Sequence, residues 1–335
     1  MAETLVHVTR GKIVECIHRG DVVVTNNHGD VLYYAGNPFK YTYFRSAAKP
    51  LQALNVLLSG AARRYELNKK ELAVICASHY AEDIHIRTVE EILEKIGLSP
   101  VSILAGPSTS LSKTIALQNA RDRKKPNSLH NDCSGKHAGM LATCLHKGYS
   151  IKDYISEDHP LQEEILSIIS DICNYPREKI LSGIDGCSVP VHALPLYNMA
   201  QGYARLTNPE KLTPPYREAS RQIVDAIIEN PKMIAGTGGF CSDLIAASHG
   251  KLIGKVGAEG VYCVGIKEKN IGIAVKLEDG AMGMLPPVVM HVLKTLRILS
   301  QEELNVLKNY TIMNNLNDSD IKVGEIKPAF KLNIL

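Results

Sequence analysis

The sequence predicts an α+β fold in which strands from both ends of the chain build one antiparallel sheet and a helical region lies between them. Three observations carry the prediction. β-Branched runs open the chain, at Asp21 to Thr25 and Val31 to Tyr34. From Ala47 to about Glu229 apolar residues recur three and four apart. After Lys251 the strand-like runs return.

The first pair of runs is separated by Asn26-Asn27-His28-Gly29-Asp30, residues that favour a reversing turn, so the two read as a hairpin. Within the helical region, Asn68 with Glu71 reads as a cap pair opening one helix, and another ends at Leu93 and Ile96 before Gly97. Pro160 opens a further helix carrying Leu161, Ile165, Ile168 and Ile169, which closes near Asn174. The returning strands are Leu252 to Val256, Val261 to Ile266 and Ile271 to Leu277, followed by an apolar helix over Pro286 to Leu299. No repeat, low-complexity tract or Pro/Gly/Ser-rich linker divides the chain, so residues 1–335 read as a single catalytic domain with a helical subregion at roughly 47–230.

Composition narrows the function. With 335 residues and 45% hydrophobic content, the chain can bury a substantial core. Its 22% charged residues and formal net charge of +3 form no basic stripe, which argues against nucleic acid and membrane partners and for a small-molecule substrate. Glu3, Arg10 and Lys12 precede any apolar run, so no signal peptide or membrane span is expected at the start and the expected location is the cytoplasm. Eight scattered cysteines, with no CxxC or Cys/His finger spacing, read as buried thiols or ligands.

Ser46 and Lys49 form a Ser-x-x-Lys pair at a helix start, where the serine hydroxyl lies near unpaired amides and the lysine returns to the same side. For Lys49 to accept the Ser46 proton its proton affinity must fall about a thousandfold, at a cost of ~4 kcal/mol. Arg45 is one cation that would help. Ser46 could then attack an amide carbonyl, with Lys49 returning the proton to the leaving group. Read alone, the pair is a common surface helix start, and Pro50 disfavours helical geometry at Lys49, which marks a candidate strained turn.

Four more segments bear on chemistry. Ala77-Ser78-His79-Tyr80 offers a second serine between two helices. Gly236-Thr237-Gly238-Gly239 is a turn whose amides could hold a carboxylate or an oxyanion, and Lys255 on a late strand could supply a second lysine. Asn131-Asp132-Cys133-Ser134-Gly135-Lys136-His137 opens a helix with Cys133 and Lys136 on one face, where the dipole favours a thiolate and a metal could sit. It is not a phosphate loop, because no glycine stands five before Gly135 and His137 follows the lysine. Ser182 to Pro190 is a small-residue loop with Asp185 and Cys187. By composition Cys133 and Cys187 are buried structural thiols, since lysine is a poor zinc ligand unless neutral.

Together, RSAAKP at 45–50, ASHYAED at 77–83, NDCSGKHAGML at 131–141, GIDGCSVPVHALPL at 183–196 and AGTGGFCSD at 235–243 resemble the thermolabile, rhizobial-type (class 3) asparaginase II family, in order, from about residue 5 to about 330. The resemblance implies a serine β-lactamase/glutaminase-like fold, hydrolysis of L-asparagine to L-aspartate and ammonia, and a homodimer. It implies Ser46 with Lys49 as one catalytic pair and Ser78 with Lys255 as a second. It also implies a Zn²⁺ ion on Cys133, Lys136 and Cys187, with Asp185 and His137 as supporting groups near the substrate, to which Arg45, Thr237 and Gly238 are added as substrate-binding candidates. A neutral lysine ligand becomes reasonable because the metal depresses its proton affinity. One departure stands out: Tyr80 and Ala81 occupy positions where the family usually has Ser-Gly. The competing readings are a penicillin-recognising or other Ser/Lys acyl-transfer enzyme, suggested by Lys255-Val256-Gly257 but lacking Ser-Asp-Asn, and a catalytically silent amino-acid-binding protein.

Overall fold

A computed structural model describes all residues, 1–335. The chain folds into two compact units. One comprises Met1–Ala47, Leu194–Asn208 and Asp243–Leu335; the other comprises Ala48–Ala193 and Pro209–Ser242.

The first unit is built on a nine-stranded sheet whose strand pairs are antiparallel. Its main path runs Met313–Leu316, Lys322–Pro328, Glu3–Arg10, Ile13–Asn26, Ile271–Leu277, Val261–Ile266 and Leu252–Gly257. Val31–Ala35 pairs with Ile13–Asn26 as the predicted hairpin, and Asn333–Ile334 pairs with Val31–Ala35. N- and C-terminal strands therefore share one sheet, and the fold is α+β as the sequence predicts. Val261–Ile266 is buried along its whole length, so both faces of the sheet are covered there. Gly265 and Gly272 stand opposite each other, and a Cβ on Gly272 would lie 2.0 Å from the Ala200 carbonyl oxygen. That bare pair lets the helix Leu196–Thr207 lie with its backbone on the sheet.

Here the expected boundaries shift. Leu196–Thr207 falls inside the predicted helical middle yet packs in the sheet unit, because the glycine pair that receives it lies on the late strands. The last long helix spans Leu285–Thr295, and two further strands, Met313–Leu316 and Lys322–Pro328, follow it; their half-exposed, polar residues carry no apolar alternation.

The second unit is mainly helical. Asn68 and Glu71 form the predicted capping box, and Pro160–Cys173 ends with Asn174 in the left-handed conformation at φ 50°. The helix Ser134–Lys147 crosses Lys69–Ile75 at very close range: a Cβ on Gly135 would stand 2.2 Å from the Val74 carbonyl oxygen, and one on Gly139 would stand 2.9 Å from the Ile75 side chain. Two glycines four apart share a helix face, and their lack of side chains lets this backbone approach occur. The start of Ser134–Lys147 thereby comes beside the chain that leaves Lys69–Ile75 toward Ser78. None of the helices is long and apolar enough to cross a membrane.

Candidate active site

Lys49 is buried to 1% exposure at the start of the short helix Lys49–Gln52. Pro50 lies in the first turn, where its missing N–H breaks no helical bond, so the anticipated conflict at Lys49 does not arise. The strain sits earlier, at Arg45, whose φ of 50° is unusual for a residue with a Cβ and immediately precedes Ser46. The helix that opens at Lys49 is interrupted at Ala53, which separates Lys49–Gln52 from Leu54–Leu58.

The Lys49 ammonium donates to the Ala77 carbonyl at 2.6 Å, to Ser78 Oγ at 3.0 Å, and to the Asp132 carbonyl and Oδ2 at 3.3 Å each. It thus bonds the serine that the resemblance assigns to the second pair. Burial pulls the Lys49 pKa down, but attraction to the Cys133–Cys187 pair and to Asp132 outweighs burial and the opposing Lys136, and the net direction is up. The direction is opposite to the fall in proton affinity expected from the sequence, and its cause is the Cys133–Cys187 pair and Asp132 packed around the ammonium.

The thiol cluster is compact. Cys133 caps the helix Ser134–Lys147, and its N–H donates to Asn131 Oδ1 at 2.9 Å. Cys187 is held inward by the turn between Leu181–Ile184 and Pro190–Pro195, in which Asp185 N–H donates to Val189 and Ser188 adopts φ 74°. Lys136 Nζ donates to Cys187 Sγ at 2.9 Å, both side chains being buried. A proton donated from Cys133 stabilises the Cys187 thiolate and pushes its pKa far down, against burial and with help from Lys136; the same bond and burial push Cys133 up. Burial would lower Lys136, yet Cys187, Cys133 and Asp185 raise it on balance. Asp185 Oδ2 is 4.0 Å from Cys187 Sγ, and the residue is half-exposed.

His137 is fully buried and its Nδ1 lies 2.7 Å from Tyr154 Oη, which also accepts the Leu104 N–H at 2.9 Å. The Tyr154 hydroxyl accordingly donates to Nδ1 and leaves the His137 proton on Nε2, on the side of the ring that faces the Cys187 sulfur. Burial lowers the His137 pKa, keeping the ring neutral. Two sulfurs and an amine are donors that suit Zn²⁺, and Cys133, Lys136 and Cys187 are the residues that would hold it.

Thr237 and Gly238 lie on the exposed rim. The Thr237 amide is not free, as the glycine turn suggested, but donates to Glu82 Oε1 at 2.6 Å, with Thr237 Oγ1 3.2 Å from Oε2. Burial raises the Glu82 pKa, but the Thr237 amide and hydroxyl together with Lys232 and His85 more than offset it, so the net direction is down. The turn does hold a carboxylate, but one supplied by the protein itself. Ser242 Oγ accepts the Ala235 and Gly236 amides at 3.2 Å each.

Ser46 and Lys255 lie in the sheet unit. Ser46 is half-buried in the 3₁₀ turn Arg45–Ala48, and Lys255 is buried to 2% on Leu252–Gly257, its ammonium donating to the Val256 carbonyl at 2.8 Å. A Cβ on Gly257 would meet the Phe44 carbonyl oxygen at 2.8 Å and the Ala47 nitrogen at 3.2 Å, and alternation puts Lys255 on the face that carries Gly257. The Ser46 turn and Lys255 thus share one face of that strand. Sequence reasoning gave no role to Asp132, which faces Lys49, or to His79, which is buried with Nε2 2.8 Å from Ser134 Oγ and stacks on His85. Each adjoins a residue already singled out, and adjacency was their only signal.

Among solved structures, Mglu in its native form in 4.3 M NaCl matches with 12% identity and a TM-score of 0.40, over 85% of this chain; the chain spans only 63% of Mglu. A beta-lactamase from Mycobacterium bovis matches with 14% identity and a TM-score of 0.40, over 82% of this chain and 94% of that one. No curated protein matches the chain. The profile of L-asparaginase II matches residues 6–328, nearly the full length. The chain belongs to the L-asparaginase II family.

Proposed function

We propose that the protein is an L-asparaginase of the thermolabile rhizobial type, hydrolysing L-asparagine to L-aspartate and ammonia in the cytoplasm as a homodimer. Family membership supports the reaction class. The observation that carries the chemistry is the buried Lys49 ammonium 3.0 Å from Ser78 Oγ, beside two cysteines and a second lysine.

In this reading a neutral Lys49 accepts the Ser78 Oγ proton as Oγ attacks the side-chain amide carbonyl. The tetrahedral adduct collapses with C–N cleavage, and the Lys49 ammonium gives that proton to the leaving nitrogen, releasing ammonia and an aspartyl ester. Water, deprotonated by Lys49, cleaves the ester and restores the hydroxyl. Asp132 orients Lys49. His137 stands among the groups about the substrate, and Ser46 and Lys255 supply the remaining serine and lysine of the two catalytic pairs that the family resemblance implies.

Cys133, Lys136 and Cys187 would hold Zn²⁺. When bound, the ion would supply positive charge beside the two lysines and favour their neutral forms.

The test is ammonia release from the purified protein with L-asparagine, L-glutamine or no substrate, beside zinc analysis of the same sample. Release from asparagine in excess of glutamine, with zinc that falls in Cys187→Ala, is expected. Lys49→Met, Ser78→Ala and Ser46→Ala should each lower kcat by roughly 10²–10⁴ without unfolding the protein. Wild-type turnover in Ser78→Ala would transfer the attack to Ser46, and an acyl-peptide trapped on Ser46 would identify it. Silence toward both amides in a folded, zinc-loaded sample would sink the asparaginase reading.

A further inference from the structure

We propose that Tyr80 is a specificity-determining residue: its ring forms the wall beside Ser78 that admits the asparagine side chain and disfavours longer ω-amides. The proposal rests on the amidohydrolase reading above, with Ser78 in the site.

The backbone places the ring. Ser78 N–H donates to the Ile234 carbonyl at 3.0 Å and Tyr80 N–H to the Ala235 carbonyl at 2.7 Å, so residues 78–80 run extended along 234–235. Alternation then sends the Ser78 and Tyr80 side chains to one side and His79 to the other, where His79 is buried against Ser134. Ser110 Oγ donates to the Tyr80 carbonyl at 2.5 Å, and Ala81 N–H donates to His79 Nδ1 at 3.1 Å. The Tyr80 amide and carbonyl and the amides at 78 and 81 are therefore each fixed by a partner.

The ring occupies space kept clear for it. A Cβ on Gly236 would stand 3.0 Å from Tyr80 Cδ2, and one on Gly239 would stand 3.0 Å from Tyr80 Oη and 3.1 Å from Cε2. Those bare positions let the phenol lie flat on the glycine turn, while the residue as a whole stays half-buried and presents surface to a ligand. A rigid aromatic wall on the same side of the backbone as Ser78 limits the length of side chain that reaches it. A pocket of fixed length discriminates one methylene by about 10–200-fold.

Tyr80→Ser, Tyr80→Leu and Tyr80→Phe in the full-length protein test this, with folding checked by circular dichroism. Two ratios are read for each: kcat/KM for L-glutamine over L-asparagine, and calorimetric affinity for L-glutamate over L-aspartate. Tyr80→Ser should raise both ratios about tenfold or more, Tyr80→Leu less, and Tyr80→Phe, which keeps the ring, should leave them unchanged. Ratios equal to wild type in a folded Tyr80→Ser or Tyr80→Leu protein overturn the proposal. If the wild type hydrolyses neither amide, the asparaginase reading fails on its own, and the affinity ratio still decides the role of Tyr80.

Discussion

Two regions of the helical unit hold an anion, and they do so by different physics. At the Cys133–Lys136–Cys187 cluster the anion is a buried thiolate, neutralised by a shared proton and by Lys136. At the glycine turn it is the Glu82 carboxylate, held by the Thr237 amide and hydroxyl, with Lys232 Nζ at 3.4 Å on an exposed stem. Burial makes the first arrangement costly to disturb, because a charge that loses its partner there has no water to replace it. The rim arrangement uses dipoles that water can replace. The proposed Zn²⁺ would sit at the first, and the second permits adjustable loop geometry.

The largest expected effect follows from unpairing the buried charges. Cys187→Ala leaves Lys136 and Lys49 facing a cluster with less negative charge, and a buried ion deprived of its partner costs about 3–5 kcal/mol. Adding Lys136→Met should recover much of that loss, since the second change removes the stranded cation. Denaturant unfolding of both single variants and the double variant measures the coupling. Costs that simply add would mean that the two side chains are not a charge pair, and the contrast with the rim would collapse.

Acid should separate the regions on the pH axis. Burial lowers the His79 pKa to about 3, so between its ordinary value near 6.5 and 3 the unfolded chain binds a proton that the folded one refuses. Stability conferred by neutral His79 is complete above that window and drains away as pH falls through it, by up to about 1.4 kcal/mol per pH unit for one group. Glu82 is also depressed, and its contribution is present above the ordinary carboxylate value near 4.5 and is lost only as pH falls below it. Urea midpoints between pH 7 and pH 5 should therefore decline in the wild type and decline less in His79→Gln, with Glu82→Gln parallel to wild type there. A His79→Gln curve as steep as wild type would remove His79 as the source.

How much of this was legible follows from where each signal lives. The sheet strands from 21 to 25 and from 252 to 277 are readable because burial demands dense β-branched residues, whereas Met313–Leu316 and Lys322–Pro328 are half-exposed and nothing forces such a pattern on them. In the site, Cys133 and Lys136 were legible because three residues along a helix is itself a geometry. The bond from Lys49 to Ser78 was not, since it depends on Gly135 and Gly139 drawing one helix onto Lys69–Ile75. The charge state of Lys49 was further out of reach: its sign is set by cysteines that only the folded chain brings near. Long-range electrostatics leaves no local trace in composition or spacing.

The smallest effect sharpens the rim side of the comparison. Ala81 has φ 55°, in the left-handed region that costs a residue with a Cβ about 1 kcal/mol or more, and it directly follows Tyr80. Its partners do not require the methyl, since Ala81 N–H bonds His79 Nδ1 through the backbone. Ala81→Gly removes that strain but gives the unfolded chain more freedom, so the net gain should be small, at most about 1 kcal/mol. A rise in the thermal midpoint of one or two degrees (~1–2 °C) with unchanged zinc content would fit a strained rim beside an undisturbed cluster. A loss of stability would mean that the Ala81 methyl packs well enough to outweigh its backbone cost, and the rim would then be held by contacts as the cluster is, not by dipoles alone.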